Sequence, residues 1–225
     1  MIRIVAHHDW VIYCIIGIIF SYIVLFKTLH RDISVIDFIT QSFDDSNNNT
    51  MSWFITTILF SLSFSILFSQ YIPIVPEYIT ENTKFLGVEL NKFGFLFLSL
   101  LLFYFVKNLV IYFFYGSIQQ LKKFSAYSFV TQKYYLVYSF VILVISLLHF
   151  YIPFNTHIAF HYYMIMIMVA FLLKLLIYLF HNQQILPDEW YYKFLYICTL
   201  QILPALVIWK FWFLWFIYTS LGNEN

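Results

Sequence analysis

The chain has 225 residues, of which 62% are hydrophobic, 24% aromatic and only 10% charged, and its formal net charge is +1. Soluble domains carry about 45–50% apolar and about 25% charged residues, so this composition indicates an integral membrane protein. Nucleic acid is excluded as a partner, because the Lys and Arg residues are dispersed and form no basic footprint.

Six apolar segments are long enough to cross a bilayer, which takes about 20 helical residues. They span 10–29, 52–72, 93–115, 134–152, 158–180 and 194–218. Unsatisfied backbone groups are costly in hydrocarbon, and these uninterrupted runs lack the alternation of barrel strands. The sequence therefore predicts an all-α fold, a polytopic transmembrane helical bundle of six membrane helices, forming a single integral membrane domain over 1–225.

The first segment follows Arg3 and imitates a secretory signal. We interpret it as a retained helix, because the apolar run is long and no small-residue cleavage site follows it. Cys14 and Cys198 lie inside apolar segments with no CxxC partner, which is typical of thiols that behave as small hydrophobes. We assign them no functional role.

The distribution of Lys and Arg between loops predicts the orientation. The basic residues of the first, third and fifth loops are Lys27, Arg31, Lys122, Lys123, Lys133 and Lys193, and those of the opposite side are Arg3, Lys84 and Lys92. The positive-inside rule then predicts cytoplasmic odd loops and periplasmic termini. Two loops have apolar residues near helical spacing and are expected to lie in the membrane interface, one around Ile36 and one around Leu121.

Tryptophans near the segment ends are typical of anchors at the headgroup level. The six are Trp10, Trp53, Trp190, Trp209, Trp212 and Trp215. Anchoring is preferred here over an aromatic cage that binds a cation.

Acidic residues are absent from all six segments. A proton- or sodium-coupled transporter usually keeps an ionisable acid within the membrane, so this absence counts against that class. The sequence also has no GxSxG elbow, no HExxH motif and no Gly-rich phosphate loop. We therefore name no catalytic residue, and an enzyme is less expected than a non-enzymatic protein.

Histidines form one cluster on the membrane face that also holds the termini. His157 and His161 are i,i+4 neighbours if the fifth helix begins early, and His149 precedes the turn before them. Such residues can hold a haem or a metal ion. The alternative, favoured because no paired Cys or acidic ligand accompanies them, is that these histidines lie in the wet interface.

Polar side chains inside the apolar segments are the other candidates for a site. They are Lys107, Asn108, Lys174, Gln201 and Lys210. A charge at the bilayer centre costs about 2.5–3.5 kcal/mol, but a lysine about two turns from a helix end can also snorkel to the interface. Pro204 follows Gln201 by three residues and frees a carbonyl one turn back, so a kink with an amide beside it indicates a cavity wall.

The residues LYICTLQILPALVIWK, from Leu195 to Lys210, resemble the C-terminal signature of the family called domain of unknown function 4271, polytopic membrane proteins of Bacteroidota. That pattern carries an acid where Gln201 stands here. The third segment and its exit, FYFVKNLVIYFFYGSIQQLKKFSAYSF, are also similar to the family. The resemblance implies a multi-pass protein of the bacterial cytoplasmic (inner) membrane with no established activity.

Three functions follow from these patterns. The first is a non-enzymatic accessory or assembly subunit, with the lipid bilayer and a membrane protein as partners. The second is a transporter or carrier of a small molecule or cofactor, with a cavity at the Pro204 kink lined by Gln201, Lys174 and Lys210. The third is a haem- or metal-binding membrane protein that uses the histidines.

Overall fold

The computed structural model describes residues 9–29, 34–41, 49–69, 71, 84–85, 88–89, 92–152, 156–180, 185–187, 189–208 and 210. Within these residues six helices are long and apolar enough to cross a membrane. They are α1 (Asp9–Leu29), α3 (Asn49–Phe68), α4 (Lys92–Ser117), α5 (Leu121–Tyr151), α6 (Thr156–Phe180) and α7 (Trp190–Ile208). The predicted all-α bundle of six membrane helices is confirmed, and the chain is a multi-pass membrane protein.

Two small elements lie in the loops. The short helix α2 (Val35–Thr40) follows α1. Strands β1 (Lys84–Phe85) and β2 (Val88–Glu89) pair antiparallel between α3 and α4, with Lys84 opposite Glu89.

Helix α3 is the central helix of the bundle and packs against α1, α4 and α5. Two thirds of its spanning window is buried, 67% against 17% for α4 and α6. Its small hydroxyl side chains explain this position, because small residues let helix backbones approach closely in membranes. Most of them donate to carbonyls one turn back in the same helix, as Thr56 does to Ser52 at 2.8 Å and Ser61 does to Thr57 at 2.8 Å.

Polar contacts fix the register between α3 and α5. The hydroxyls of Ser63 and Ser139 lie 3.0 Å apart, and both side chains are fully buried. Near the start of α3, the Gln132 amide donates to the Ser52 hydroxyl. Interhelical hydrogen bonds of this kind contribute on average about 0.6 kcal/mol each in membranes.

Helix α5 begins at Leu121, well before the apolar run that predicted a start at 134. The segment around Leu121 that was expected to lie in the interface is instead the first turns of this helix. The physical reason is that residues 121–133 contain no helix breaker and place Ala126, Phe129 and Val130 in the buried core.

The other helix ends also differ from the predicted bounds. Helix α3 ends at Phe68 instead of 72, and α7 begins at Trp190 instead of 194. Trp190 is 77% exposed and Trp53 is 9% exposed, so the tryptophans at helix starts do not share one environment. Trp209, Trp212 and Trp215 lie outside the described residues.

Helix α2 belongs to the first loop, where sequence predicted an interfacial segment. Its Phe38 is fully buried against Phe26 and Phe129, whereas Ile36 is 75% exposed. Lys133 of α5 donates from Nζ to the carbonyls of Ile39, at 3.0 Å, and Gln41. A cation at a helix C-terminus complements the helix dipole, so Lys133 holds α2 against the bundle.

Helix α7 starts as an α-helix over Trp190–Leu195, continues as a π-helix over Tyr196–Ile202 and is α-helical again over 203–208. The Leu203 amide donates to the Cys198 carbonyl, five residues back. Pro204 has no amide hydrogen and its ring crowds the carbonyl one turn back, so the preceding turn widens. This widened turn is the local feature that positions Gln201.

Candidate functional site

A cavity of about 530 Å³ lies among α3, α4, α5, α6 and α7. Along α6 its wall runs from Met164 to Lys174, ten residues or about 15 Å of helix. Lys107 of α4 and Lys174 of α6 both line it, although the two residues are far apart in sequence. The fold therefore brings together two of the lysines that sequence singled out.

Aromatic side chains form most of the remaining polar and π surface of the wall. They are Phe60, Phe64, Phe68, Phe103, Tyr104, Tyr134, Tyr135, Tyr138 and Phe171. Phe60 stacks on Tyr135 with ring centroids 4.7 Å apart, and Phe64 stacks on Phe68 at 4.4 Å. These stacked pairs make the α3–α5 side of the cavity rigid.

Lys174 is only 6% exposed, so it does not snorkel to the interface. Its Nζ donates a 3.1 Å hydrogen bond to the Tyr135 hydroxyl and lies 4.5 Å from the centroid of the same ring. The rings of Tyr134 and Tyr178 lie 5.5 and 5.7 Å from the ammonium. The π faces stabilise the cation without neutralising it.

Lys107 donates from Nζ to the Gln201 Oε1 at 2.8 Å. Gln201 is fully buried, and its amide nitrogen donates to the Tyr196 hydroxyl at 2.7 Å. The π-helical turn carries both Tyr196 and Gln201, five residues apart. Gln201 thus fixes the position of Lys107 at the cavity edge while leaving its charge unpaired, since an amide is neutral.

The two ammonium groups are close enough to disfavour each other's charge. Neither has a carboxylate partner available from the helices of the cavity. Between Glu89 and Asp188 the sequence contains no acidic residue, and α3 and the described part of α7 have none. The polar end of the cavity is therefore positive.

Buried tyrosines fill the bundle beyond the lysines. Tyr115 follows Lys107 by about two turns and Tyr178 follows Lys174 by about one turn. Both pack around Tyr127, with ring centroids 6.5 and 5.4 Å from it. Tyr178 also shares a 2.6 Å hydrogen bond with Thr131. These side chains are not part of the cavity wall, so the lysines mark its inner end.

The other predicted polar residues lie elsewhere. Lys210 is exposed and is not among the lining residues, and Pro204 lies between the lining residues Ile202 and Ala205. Asn108 is next to Lys107, with its Oδ1 buried and without a hydrogen-bond partner among the described residues. The predicted cavity set of Gln201, Lys174 and Lys210 is thus only partly brought together.

His149 lies at the opposite end of α5 from α2 and is 8% exposed. Its Nδ1 is 2.9 Å from the Tyr163 hydroxyl and its Nε2 is 3.3 Å from the Tyr71 hydroxyl. Burial raises the pKa of Tyr71, which keeps this hydroxyl neutral as a hydrogen-bond partner. Because both ring nitrogens face tyrosines, His149 can bind a metal ion or haem only after one of these contacts is broken.

The remaining histidines do not complete a metal site with His149 in the described structure. His161 is exposed, and the side chain of His157 is outside the described part of the chain. Among the described residues no group of three or more His, Cys, Asp and Glu side chains could hold a metal ion. The haem or metal hypothesis stays a prediction.

Sequence reasoning missed the aromatic wall and the inward direction of both lysines. Each lysine was open to interpretation as a snorkelling residue, because each is about two turns from a helix end. The available signal was that Lys107 and Lys174 lie in helices without any acid, so that neither has an ion-pair partner in its own helix.

A family model described as "Domain of unknown function (DUF4271)" matches residues 9–212. Searches among curated proteins and solved structures find no significant match.

Proposed function

The chain belongs to the family described as a domain of unknown function (DUF4271), and we propose that it is a membrane-embedded carrier that binds one small molecule in the cavity among α3–α7. The observation that carries this proposal is the cavity of about 530 Å³ with two lysines at one end. Ligand pockets typically measure about 300–1,000 Å³ and combine apolar walls with a few convergent polar groups.

A gap of this size is too large for a packing defect. Protein interiors have few voids larger than a water molecule. At about 24 cal/mol per Å³, leaving such a cavity empty would cost on the order of 10 kcal/mol, comparable with the whole free energy of folding. The space is therefore filled by a molecule, and the lining decides which one.

The cavity reaches the outer surface of the bundle between α6 and α7. Three of its lining side chains are also exposed, namely Met168 at 66%, Ile165 at 59% and Leu206 at 62%. The flanks of these helices face the hydrocarbon of the membrane. This favours a ligand that enters sideways from the bilayer over one that enters from water.

Filling the cavity tests the proposal. Ala205→Phe adds an aromatic ring at a lining residue, whereas Val169→Phe adds the same ring at an exposed residue of α6 that does not line the cavity. Native mass spectrometry of protein purified from its own membranes should show a bound small molecule with the unchanged chain and with Val169→Phe, but not with Ala205→Phe. Equal occupancy by ordinary bulk phospholipid in all three proteins would contradict a dedicated carrier.

A second proposed function is an accessory or assembly subunit of a membrane complex. The observation that favours it is the wide apolar surface of α4 and α6, of which only 17% of each spanning window is buried within the chain. A partner helix and lipid both suit such a surface. Purification in mild detergent from native membranes distinguishes them, because a monodisperse monomer without a stoichiometric partner would count against the subunit.

We also propose the bacterial cytoplasmic (inner) membrane as the location, with cytoplasmic odd loops. Ser117 and Ile152 are exposed at opposite ends of the bundle and provide sites for the test. In a chain with Cys14→Ser and Cys198→Ser, a membrane-impermeant maleimide should label Ile152→Cys in intact spheroplasts. Ser117→Cys should react only after lysis, and the reverse pattern would invert the topology.

A further inference from the structure

The cavity has one cationic end and one apolar end, and this polarity restricts its ligand. We propose that the ligand is an amphiphilic anion, with a carboxylate or phosphate group between Lys107 and Lys174 and an apolar body along Phe64, Phe68 and Met164. This inference rests on the proposed carrier function and names the chemical class of its ligand.

The charge balance of the site requires an anion from outside the chain. Two ammonium groups lie near each other inside the bundle, where a single charge at the bilayer centre costs about 2.5–3.5 kcal/mol. No acidic residue occurs in the sequence between Glu89 and Asp188, a range that includes α4, α5 and α6. A bound anion would supply the missing counter-charge to both lysines at once.

The hydrogen-bond geometry leaves room for such a group. An ammonium has three donors. Within the described residues Lys174 uses one on the Tyr135 hydroxyl and Lys107 uses one on Gln201. The buried hydroxyl of Tyr138, which also lines the cavity, has no hydrogen-bond partner there. The acidic group of a ligand would accept from the remaining lysine donors.

The rest of the wall suits an apolar body rather than a second polar group. Beyond the lysines the cavity continues for about 15 Å along α6, past Phe171 and Met168 to Met164. Methionines adapt their shape to irregular apolar ligands. The exposed lining residues between α6 and α7 would let such a molecule enter from the lipid phase without leaving it.

Binding of matched probes tests the inference. The full chain is reconstituted in nanodiscs of zwitterionic lipid and titrated with dansyl-labelled undecanoate or with the dansyl-labelled undecanol that lacks only the charge. Energy transfer from protein tryptophans reports binding, after subtraction of the signal from empty nanodiscs. Because hydrogen bonds to charged groups contribute about 1.5–3 kcal/mol, we expect the acid to bind about 10-fold more tightly or better.

The outcomes separate the two levels of the proposal. If neither probe binds above the empty nanodiscs, the carrier function fails. If the alcohol binds as well as the acid, the cavity is a binding site but the anionic ligand class is overturned. Competition by hexadecanoate and by hexadecyl phosphate then identifies the acidic group, and hexadecyltrimethylammonium, which has the opposite charge, should not compete.

Variants place the charge recognition at the two lysines. Lys107→Met and Lys174→Met should each weaken the acid probe about 10-fold and leave the alcohol probe unchanged, whereas Lys92→Met, at an exposed residue of α4, should alter neither. Gln201→Glu provides a version that keeps the side-chain shape. Its carboxylate would pair with Lys107 and should also weaken the acid probe, and unchanged affinity in all of these variants would overturn the site.

Discussion

The Nζ of Lys107 lies 2.8 Å from the Oε1 of Gln201, and this contact joins α4 to the π-helical turn of α7. The resemblance to the family signature places an acid where this chain has Gln201. With an acid there, Lys107 would have an internal ion-pair partner. With the neutral amide it has a positioned but unneutralised charge, which is the property that the cavity requires for an external anion.

Replacing Gln201 by leucine removes two buried hydrogen bonds at once. Lys107 loses its acceptor and Tyr196 loses its donor, in a place where neither can reach bulk water. We expect Gln201→Leu to lower the free energy of unfolding by about 2 kcal/mol, because groups left unsatisfied cost about 1–3 kcal/mol. Unfolding in a graded mixture of mild and denaturing detergent measures this change.

Thr199→Val is the matched control for Gln201→Leu. Thr199 lies on the same π-helical turn but is exposed, and its hydroxyl donates only to the Leu195 carbonyl of its own helix. A change within about 0.5 kcal/mol is expected. If both variants behaved alike, the contact between Gln201 and Lys107 would have no special role in stability.

The contact of Ser63 with Ser139 makes the α3–α5 interface sensitive to size more than to hydrogen bonding. Ser139→Ala removes one interhelical bond and should cost about 0.6 kcal/mol. Ser139→Leu adds bulk at a fully buried position and should cost about 1–3 kcal/mol or prevent folding. The same detergent unfolding assay measures both variants, with Val137→Leu on the exposed side of α5 as control.

His149 joins three parts of the chain through its two tyrosine contacts. His149→Phe keeps a ring of similar size but removes the partners of Tyr71 and Tyr163, so it should lower the free energy of unfolding by about 1–2 kcal/mol. Tyr162→Phe, at an exposed residue of α6, should have little effect. Absorption spectra and metal analysis of the same preparations test the haem or metal hypothesis, which a colourless, metal-free and functional protein would contradict.

Most of the fold follows from the length and composition of the apolar runs, because hydrocarbon admits only internally hydrogen-bonded helices. Boundaries are less predictable where a helix continues into an amphipathic stretch. Helix α5 shows this, since Lys122, Lys123 and Lys133 interrupt the hydropathy but not the helical backbone. Lys133 even has a structural role, through the α2 carbonyls.

The candidate site was only half predictable, for a physical reason. Single residues that are unusual in a membrane segment are visible in the sequence, as Lys107, Lys174 and Gln201 were. The direction in which a lysine points depends on the neighbouring helices, because snorkelling and inward burial are both open to a residue two turns from a helix end. The stacked wall of Phe60 and Tyr135 joins residues that are distant in sequence and have no distinguishing pattern.

Pro204 is the residue whose replacement tests how the π-helical turn serves the cavity. Without the proline ring, residue 204 gains an amide hydrogen that can donate to the carbonyl one turn back, near Leu200. We expect Pro204→Ala to convert part of Tyr196–Ile202 to α-helix and to raise the midpoint of thermal unfolding. The same change should rotate Gln201 away from Lys107 and weaken the acidic dansyl probe.

The pairing of these two effects distinguishes a functional turn from a tolerated irregularity. Strained segments at functional sites typically trade stability for function, so a more stable variant with weaker anion binding is the expected result. Leu206→Ala, which changes a lining residue after the proline without adding an amide, controls for simple changes in cavity shape. A Pro204→Ala protein that became more stable yet bound the acid probe with unchanged affinity would show that Gln201 does not depend on the widened turn for its position.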